Sequence, residues 1–268
     1  MPDGTAEDLA LARTTHLGIG AHQDDLEFMA FHGIAECFDR NDGWFCGVIC
    51  TDGAGSARSG DYAEFSDAEM ATLRRKEQNE AAKIGEYAAM IQLGYTSAEV
   101  KECAGSSLRE DLRAILEATR PEVVYTHNLA DKHPTHVAIA LAVIEALRLL
   151  PAEARPKRVI GCEVWRDLDW LPDGEKVVMD VSGHEKLAGE LAGCFRSQID
   201  GGKRYDLAVA GRRAANATFG DPRSTDRATQ IIHGMDLTPL MSDATDPGEY
   251  VDAMIERFRG QVRAAVKR

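Results

Sequence analysis

The strongest constraint on the fold is the alternation of short apolar runs with longer segments of helical periodicity. Five runs rich in β-branched or aromatic residues end in turn-forming residues and are predicted to be strands. They span residues 16–21, 44–51, 90–94, 122–126 and 158–164. The segments between them repeat apolar residues at helical spacing, and Ser66 with Glu69 forms a capping-box pattern at the start of one helix. This order predicts an α/β fold, a Rossmann-like, mostly parallel sheet with helices on both faces.

The last hundred residues show a weaker alternation. They contain a predicted strand at 176–181 and predicted helices at 185–195, 204–216 and 250–267. Because the chain has no internal repeat, low-complexity tract or long linker, we expect one domain over residues 1–268. Its Rossmann-like core is predicted at 15–165, and a C-terminal elaboration at 166–268 is expected to contribute to a substrate pocket.

Charge and cysteine content narrow the classes of function. The formal net charge of -13 would repel a nucleic-acid backbone or an anionic membrane surface, and it favours small neutral or cationic partners. The six cysteines form no CxxC pair, so we expect reduced thiols. No run approaches the roughly 18 apolar residues of a membrane span, and the amino terminus lacks the pattern of a secretory signal. We therefore expect a cytoplasmic protein, and a homo-oligomer remains open.

A histidine and two aspartates follow the first predicted strand, in the segment GIGAHQDD at 18–25. The glycines match the start of a dinucleotide-binding turn, but the two carboxylates would repel a pyrophosphate. A divalent cation suits these residue types better. His22 and Asp25 lie three residues apart on one turn, and Asp24 between them is available as a base.

A second polar group follows the fourth predicted strand. His133 and His136 are three residues apart at the start of the helix that Pro134 begins, so they share a face. Loops at the carboxyl ends of parallel strands meet at one edge of the sheet, and strands one and four are neighbours in many doubly wound sheets. The sequence therefore predicts a site for a divalent metal. Zinc is the first candidate, and other divalent ions also suit histidine and carboxylate ligands.

The two motifs resemble those of a known family. AHQDD at 21–25 and HPTH at 133–136 are similar to the signatures of the PIG-L / LmbE-like superfamily of zinc-dependent N-acetylglucosaminyl deacetylases. The spacing of Arg74 and Glu77 also resembles a helix of that family, so the similarity covers about residues 15–165.

The resemblance implies a reaction and a set of residues. The reaction is removal of the N-acetyl group from an N-acetylglucosamine-type amino sugar, or from its glycoside, by zinc-activated water. The implied zinc ligands are His22, Asp25 and His136, with Asp24 as general base, His133 stabilising the oxyanion if protonated, and Arg74 binding substrate.

Two positions depart from the family pattern. Gln23 replaces a proline, which we expect to loosen the turn without displacing its ligands. Thr135 replaces an aspartate that would orient His133. Asp131 or His127 is a candidate to replace that carboxylate, and Asp131 is predicted to support the metal ligands.

Other segments are candidates for the pocket walls. The glycine-rich segment 51–60 is expected to be a mobile loop at the same sheet edge. Asp52 in this loop either contacts the site or makes an ordinary turn, and Trp165 either stacks on a sugar ring or caps the core. Arg212 and Arg213 lie on the polar face of a late helix and are assigned no role.

Two other functions remain open on the sequence. One is a zinc amidase that acts on a thiol conjugate or another acylated metabolite. The other is a non-catalytic sugar- or nucleotide-binding module in which the acidic turn is only structural. A serine hydrolase is disfavoured because the chain has no G-x-S-x-G motif.

Overall fold

A seven-stranded sheet forms the centre of the computed structural model, which describes residues 1–102 and 106–267. The strands are β1 (His16–Gly20), β2 (Phe45–Thr51), β3 (Ala89–Tyr95), β4 (Val123–His127), β5 (Arg158–Cys162), β6 (Lys176–Asp180) and β7 (Ile231–Asp236). Their order across the sheet is β3-β2-β1-β4-β5-β7-β6. The first five are parallel, and β7 is antiparallel to both β5 and β6. The predicted mostly parallel α/β sheet is confirmed.

Helices connect these strands and cover both faces of the sheet. Over the described residues they are α1 (Glu7–Ala12), α2 (Asp25–Met29), α3 (Phe31–Cys37), α4 (Asp67–Ile84), α5 (Ser97–Glu102), α6 (Ser106–Thr119), α7 (Pro134–Arg148), α8 (Glu185–Ala192), α9 (Arg196–Ile199), α10 (Tyr205–Phe219) and α11 (Pro247–Val266). The predicted capping box is present at the start of α4, where Ser66 and Glu69 bond each other's main chain.

Alternation along the strands produces two cores, one on each face of the sheet. Val48 of β2 packs in one core with Leu112 of α6 and Val143 of α7. The next residue, Ile49, packs in the other core with Leu26 of α2. Because successive side chains of a strand point to opposite faces, one short apolar strand serves both helical layers.

The strand β7 is absent from the sequence prediction. Its run IIHGMD is short, and a histidine and a glycine interrupt its apolar character. The glycine has a packing reason, since a Cβ on Gly234 would lie 2.5 Å from Cγ2 of Ile160 on the neighbouring β5. A residue that lowers strand propensity therefore allows the strand to pack here.

The sheet brings the two polar motifs together. β1 pairs with β4 in parallel, so these strands are the neighbours that the sequence allowed, and the structure sets His16 opposite Val123 and Gly18 opposite Tyr125. From β1 the chain first builds outward through β2 and β3, and then crosses to β4 on the other side. Such a reversal of strand order opens a crevice at the carboxyl ends of the two strands. The loops that carry His22 and His133 both begin there.

Two further expectations concern the state of the cysteine thiols and membrane-spanning helices. Five cysteines, Cys37, Cys46, Cys50, Cys162 and Cys194, are free thiols. The sixth, Cys103, lies outside the described residues. Within the part of the chain that the structure covers, no helix has both the length and the apolar character needed to cross a membrane.

Candidate active site

A strained turn follows β1 and carries the acidic motif. Asp24 has φ 95°, in the left-handed region that aspartate tolerates better than most residues. Its main-chain N–H donates to Oε1 of Gln78 at 3.2 Å, which fixes the turn against α4. The next residue, Asp25, begins α2, and its Oδ2 accepts from the main-chain N–H of His22 at 2.6 Å.

The turn after β4 is held by its own side chains. Oδ1 of Asn128 accepts from the N–H of Ala130 at 2.9 Å, and its amide donates to the carbonyl of Cys162 on β5 at 2.9 Å. Oδ1 of Asp131 accepts from the N–H of His133 at 2.9 Å. Pro134 then occupies the first turn of α7, which places His136 one turn into the helix.

Three side-chain atoms from these two turns converge. Nδ1 of His22 lies 3.2 Å from Nε2 of His136 and 3.3 Å from Oδ2 of Asp25. Oδ2 of Asp25 lies 3.5 Å from Nε2 of His136. Ligands about 2.0–2.1 Å from a tetrahedral zinc ion are about 3.3 Å apart, so this donor set has the spacing that a zinc ion requires.

Charge and burial suit the same set to a cation. Burial alone would raise the pKa of Asp25, but the His136 and His127 imidazoles hold it well below its usual range. On the far side of His136, Nδ1 lies 3.5 Å from Oδ1 of Asp131. A carboxylate at that nitrogen orients an imidazole and makes its other nitrogen a better ligand. Asp131 therefore lies beside the ring of His136, whereas its hydrogen bond with His133, the residue that it was expected to orient, involves only the main-chain N–H.

Two overlapping groups of possible ligands are also present among the described residues, and one of them is His22, His133 and His136. His127 belongs to the other, with Asp25 and His136. Its ring stacks on that of His136, with 3.8 Å between ring centres. However, Nε2 of His127 accepts a hydrogen bond from the N–H of Ala21 at 2.9 Å. Because this bond occupies the lone pair that would bind a metal, His127 joins β4 to the end of β1 and is the weaker ligand candidate.

Asp24 stands beside the donor set and is bound by Arg74. Nη2 of Arg74 donates to Oδ2 of Asp24 at 3.0 Å and also to the carbonyl of Gln23. Burial raises the pKa of Asp24 to about 6, although the guanidinium opposes that rise. A carboxylate with a pKa near neutrality suits proton transfer. Arg74 borders the pocket but is only 2% exposed, and its Nη2 is bonded to Asp24 and to the turn.

Comparison with family models supports this interpretation of the two motifs. The model described as PIG-L, GlcNAc-PI de-N-acetylase, matches residues 17–147, which contain both turns and α4. Residues 17–147 belong to the PIG-L family. A comparison with curated protein sequences gave no match.

Solved structures share the fold of the PIG-L domain and of the chain around it. The conserved protein TT1542 from Thermus thermophilus aligns with TM-score 0.66 and 19% identity, over 83% of this chain and 94% of that one. N,N'-diacetylchitobiose deacetylase from Pyrococcus horikoshii aligns with TM-score 0.62 and 20% identity, over 82% and 83%. GalB, a 4-carboxy-2-hydroxymuconate hydratase from Pseudomonas putida KT2440, aligns with TM-score 0.62 and 18% identity, over 83% and 95%. At such identities the likeness establishes the fold, and a fold alone does not determine a reaction.

Glu77 extends the network of the PIG-L domain to the C-terminal part of the chain. Its carboxylate lies 3.6 Å from Nη1 of Arg74. It also accepts two hydrogen bonds from Ser197, one from the main-chain N–H and one from the hydroxyl, both at 2.7 Å. One helix of the PIG-L domain thus holds Asp24 through Arg74 and the start of α9 through Glu77.

Gln23 anchors the acidic turn, whereas we expected the replacement of a proline at this position to loosen it. Its side chain is buried, and Nε2 donates to the carbonyl of Thr51 at 3.1 Å. This bond ties the acidic turn to the end of β2, so the replacement supplies an anchor.

Gly53, at φ 75°, packs against the Gln23 amide so closely that a Cβ would overlap it. Asp52 makes an ordinary turn, because its Oδ1 accepts from the N–H of Ala54 at 3.0 Å.

A pocket of about 570 Å³ opens above the donor set of the PIG-L domain. Its floor includes His22, Asp24, Asp25 and His133, and the loop after β2 forms one side through Gly53, Gly55, Ser56 and Ala57. The opposite wall comes from beyond residue 147. It consists of Val164, Trp165, Gln198, Lys203, Tyr205, Ala208, Val209 and Arg212.

The sequence analysis missed several residues of this site, and three of them illustrate why. Gln78 fixes Asp24, and Lys203 and Tyr205 line the wall. None of them belongs to a motif, and the latter two lie about 180 residues from Asp24 along the chain. Of the unassigned arginines, Arg212 lines the pocket. Arg213 is buried behind it and donates to the carbonyls at the end of α2.

Proposed function

We propose that this protein is a zinc-dependent deacetylase. Its substrate would be an N-acetylglucosamine-type amino sugar, or a glycoside of one, and its products acetate and the free amine. The observation that carries the proposal is the convergence of His22, Asp25 and His136 at zinc-ligand spacing, with a buried Asp24 beside them. The family match over residues 17–147 supports it.

The donor set fits a catalytic metal in number and kind. Catalytic zinc sites use three protein ligands of histidine and carboxylate type and keep one position open. A zinc ion held by these residues would lower the pKa of a water molecule towards neutrality and polarise the amide carbonyl. Other divalent ions also accept this donor set.

Asp24 would act as the general base. Its carboxylate lines the pocket, and Arg74 fixes its orientation. In this proposal Oδ1 or Oδ2 accepts the proton of the attacking water and later delivers it to the leaving nitrogen. Arg74 then acts by positioning Asp24, whereas the family resemblance gave it a direct role in substrate binding.

His133 would stabilise the oxyanion of the tetrahedral intermediate. Its ring lies 4.9 Å from that of His22, centre to centre, and borders the pocket. Burial, together with His136 and His22, lowers the pKa of His133 to about 4, so the ring is neutral near pH 7. A neutral imidazole still donates one N–H hydrogen bond, which suffices to stabilise an oxyanion. The role therefore does not require the protonated ring that the sequence led us to assume.

Metal analysis and acetate release test the proposal together. We expect about one zinc per chain, together with acetate release from N-acetylglucosamine or N,N'-diacetylchitobiose that a chelator abolishes and added zinc restores. Acetate release from an acylated thiol conjugate alone would favour the amidase alternative. A protein without stoichiometric metal that releases no acetate would contradict the deacetylase proposal and favour the binding module.

A further inference from the structure

The wall of the pocket carries an aromatic platform beside the reaction centre. Trp165 is 40% exposed, and its ring centre lies 6.2 Å from that of His133. Tyr205 meets Trp165 edge-on at 6.0 Å and approaches Phe28 at 5.9 Å. An exposed indole held by neighbouring rings offers a flat apolar surface at low entropic cost, which suits the face of a sugar ring.

An ammonium group lies over the ring of this platform. Nζ of Lys203 lies 5.3 Å from the centre of the Trp165 ring, and the side chain lines the pocket. Trp165 therefore lies close to both His133 and Lys203. A ligand that packs against the indole would be near the donor set and near this ammonium.

Further cations line the same pocket from other elements. Lys101 comes from α5 and Arg212 from α10. Nη1 of Arg212 is held by the carbonyl of Val164, so this guanidinium is fixed at the wall. Its charge is partly offset by Glu163, which lies behind the wall and is 5% exposed.

Among the described residues that line the pocket, no carboxylate pairs with these cations. The acids among these residues are Asp24 and Asp25. Asp24 is bound by Arg74, and Asp25 by the histidines of the donor set. The chain as a whole carries a formal net charge of -13, which repels anions. A local group of cations is the means by which such a protein would bind an acidic ligand.

We propose that the pocket is selective for acidic substrates: N-acetylated amino sugars that carry a phosphate or a carboxylate. The sugar ring lies on Trp165, the acidic group meets Lys203, and Lys101 and Arg212 add to the positive field. This inference rests on the proposed deacetylase function. It replaces the expectation from net charge that neutral or cationic small molecules are preferred.

Matched substrates and a matched charge control test this selectivity. The substrates are N-acetylglucosamine 6-phosphate, N-acetylmuramic acid and the neutral methyl glycoside of N-acetylglucosamine. In Lys203→Gln we expect kcat/KM to fall about 10-fold or more on the better acidic substrate and less than about 3-fold on the neutral one. The control, Lys157→Gln, removes the same charge at the amino end of β5, where Lys157 pairs with Glu122. It should change neither value, and added salt should weaken only the acidic substrate.

A binding measurement separates this inference from the deacetylase proposal. Calorimetry on the metal-free protein would measure binding of glucosamine 6-phosphate and of glucosamine to the wild type and to Lys203→Gln. Binding of the phosphate that depends on Lys203, without acetate release from any substrate, would support the inference and contradict the deacetylase. Equal acetate release from acidic and neutral sugars in both proteins would overturn the inference and leave the deacetylase standing. No binding and no release would overturn both.

Discussion

The floor and the wall of the pocket are built differently. The floor and the buried residues bonded to it include His22, Asp24, Asp25, Arg74 and His136, which come from the PIG-L domain, and the four other than His22 are at most 5% exposed. Each of them contacts another member within 3.5 Å. The wall, comprising Trp165, Lys203, Tyr205 and Arg212, comes from outside that domain and meets mainly through ring contacts of about 6 Å. Tightly bonded groups preorganise chemistry, whereas exposed groups on variable segments select ligands.

Removing a proposed metal ligand should have the largest effect. His136→Ala deletes a fully buried donor, so we expect loss of stoichiometric zinc and a fall in acetate release of more than about 1000-fold. Elemental analysis and an acetate assay measure both. The matched control, His184→Ala, removes a histidine from the start of α8 and should retain metal and activity. Retention of zinc by His136→Ala would contradict the assigned donor set.

Asp24→Asn separates catalysis from metal binding within the floor. The amide keeps the shape of the side chain but accepts no proton, so we expect kcat to fall about 100- to 10,000-fold. Because Asp24 is not one of the converging donors, zinc content should not change. Loss of zinc together with activity would place Asp24 among the ligands.

Arg74→Lys tests whether the arginine positions the base or binds the substrate. Lysine keeps the charge but loses the planar set of donors that joins Asp24 to the carbonyl of Gln23. For a positioning residue we expect kcat to fall about 10- to 100-fold while KM changes less than about 3-fold. Thermal melting would show that the fold is intact. A rise in KM at unchanged kcat would instead support the substrate-binding role that the family resemblance implied.

Trp165→Ala tests the wall without touching the floor. Loss of an exposed platform should raise KM about 5- to 10-fold and leave kcat and zinc content nearly unchanged, because the contact contributes to binding before and during the reaction. The comparison variant Trp170→Phe alters a tryptophan that packs against Phe258 and does not line the pocket. If Trp165→Ala lowers kcat as strongly as Asp24→Asn does, the distinction between floor and wall fails.

His127→Gln should have the smallest effect and sharpens the definition of the floor. Glutamine offers an oxygen near the position of Nε2 to accept from the N–H of Ala21, so zinc content should stay at about one per chain. Stability should fall by about 1–2 kcal/mol because a buried ring contact with His136 is lost. Chemical denaturation measures that difference. Loss of zinc would identify the set Asp25, His127 and His136 as the metal site.

Much of the fold followed from local patterns. The runs that became β1, β2 and β4 are short, apolar and ended by turns, and the capping box at Ser66 and Glu69 fixes the start of α4 by local chemistry. β7 escaped prediction because its strand character depends on packing against β5 and β6, and its Gly234 lowers the propensity of the run. Local propensity cannot report a contact made about 70 residues away.

The residues of the site likewise divide into those that local spacing predicts and those whose contacts only the tertiary structure reveals. His22 and Asp25, and likewise His133 and His136, were found because each pair shares one turn, and the parallel sheet then brings the pairs together. The structure assigned contacts that spacing does not encode. The binding of Asp24 by Arg74 crosses 50 residues, and the approach of Lys203 to Trp165 crosses 38. Neither distance follows from a period of a helix or strand.

The paired bonds between Glu77 and Ser197 limit how this scaffold can be recombined. A chimaera that receives residues 196–219 from another protein with a PIG-L domain would acquire a new set of pocket-lining side chains without alteration of the proposed metal donors. The graft must preserve one contact at its junction. Glu77 is 8% exposed, and without Ser197 it would be a buried carboxylate that has lost two hydrogen-bond donors. Designers who retain serine at that junction can exchange the selectivity of the scaffold while its chemistry stays in place.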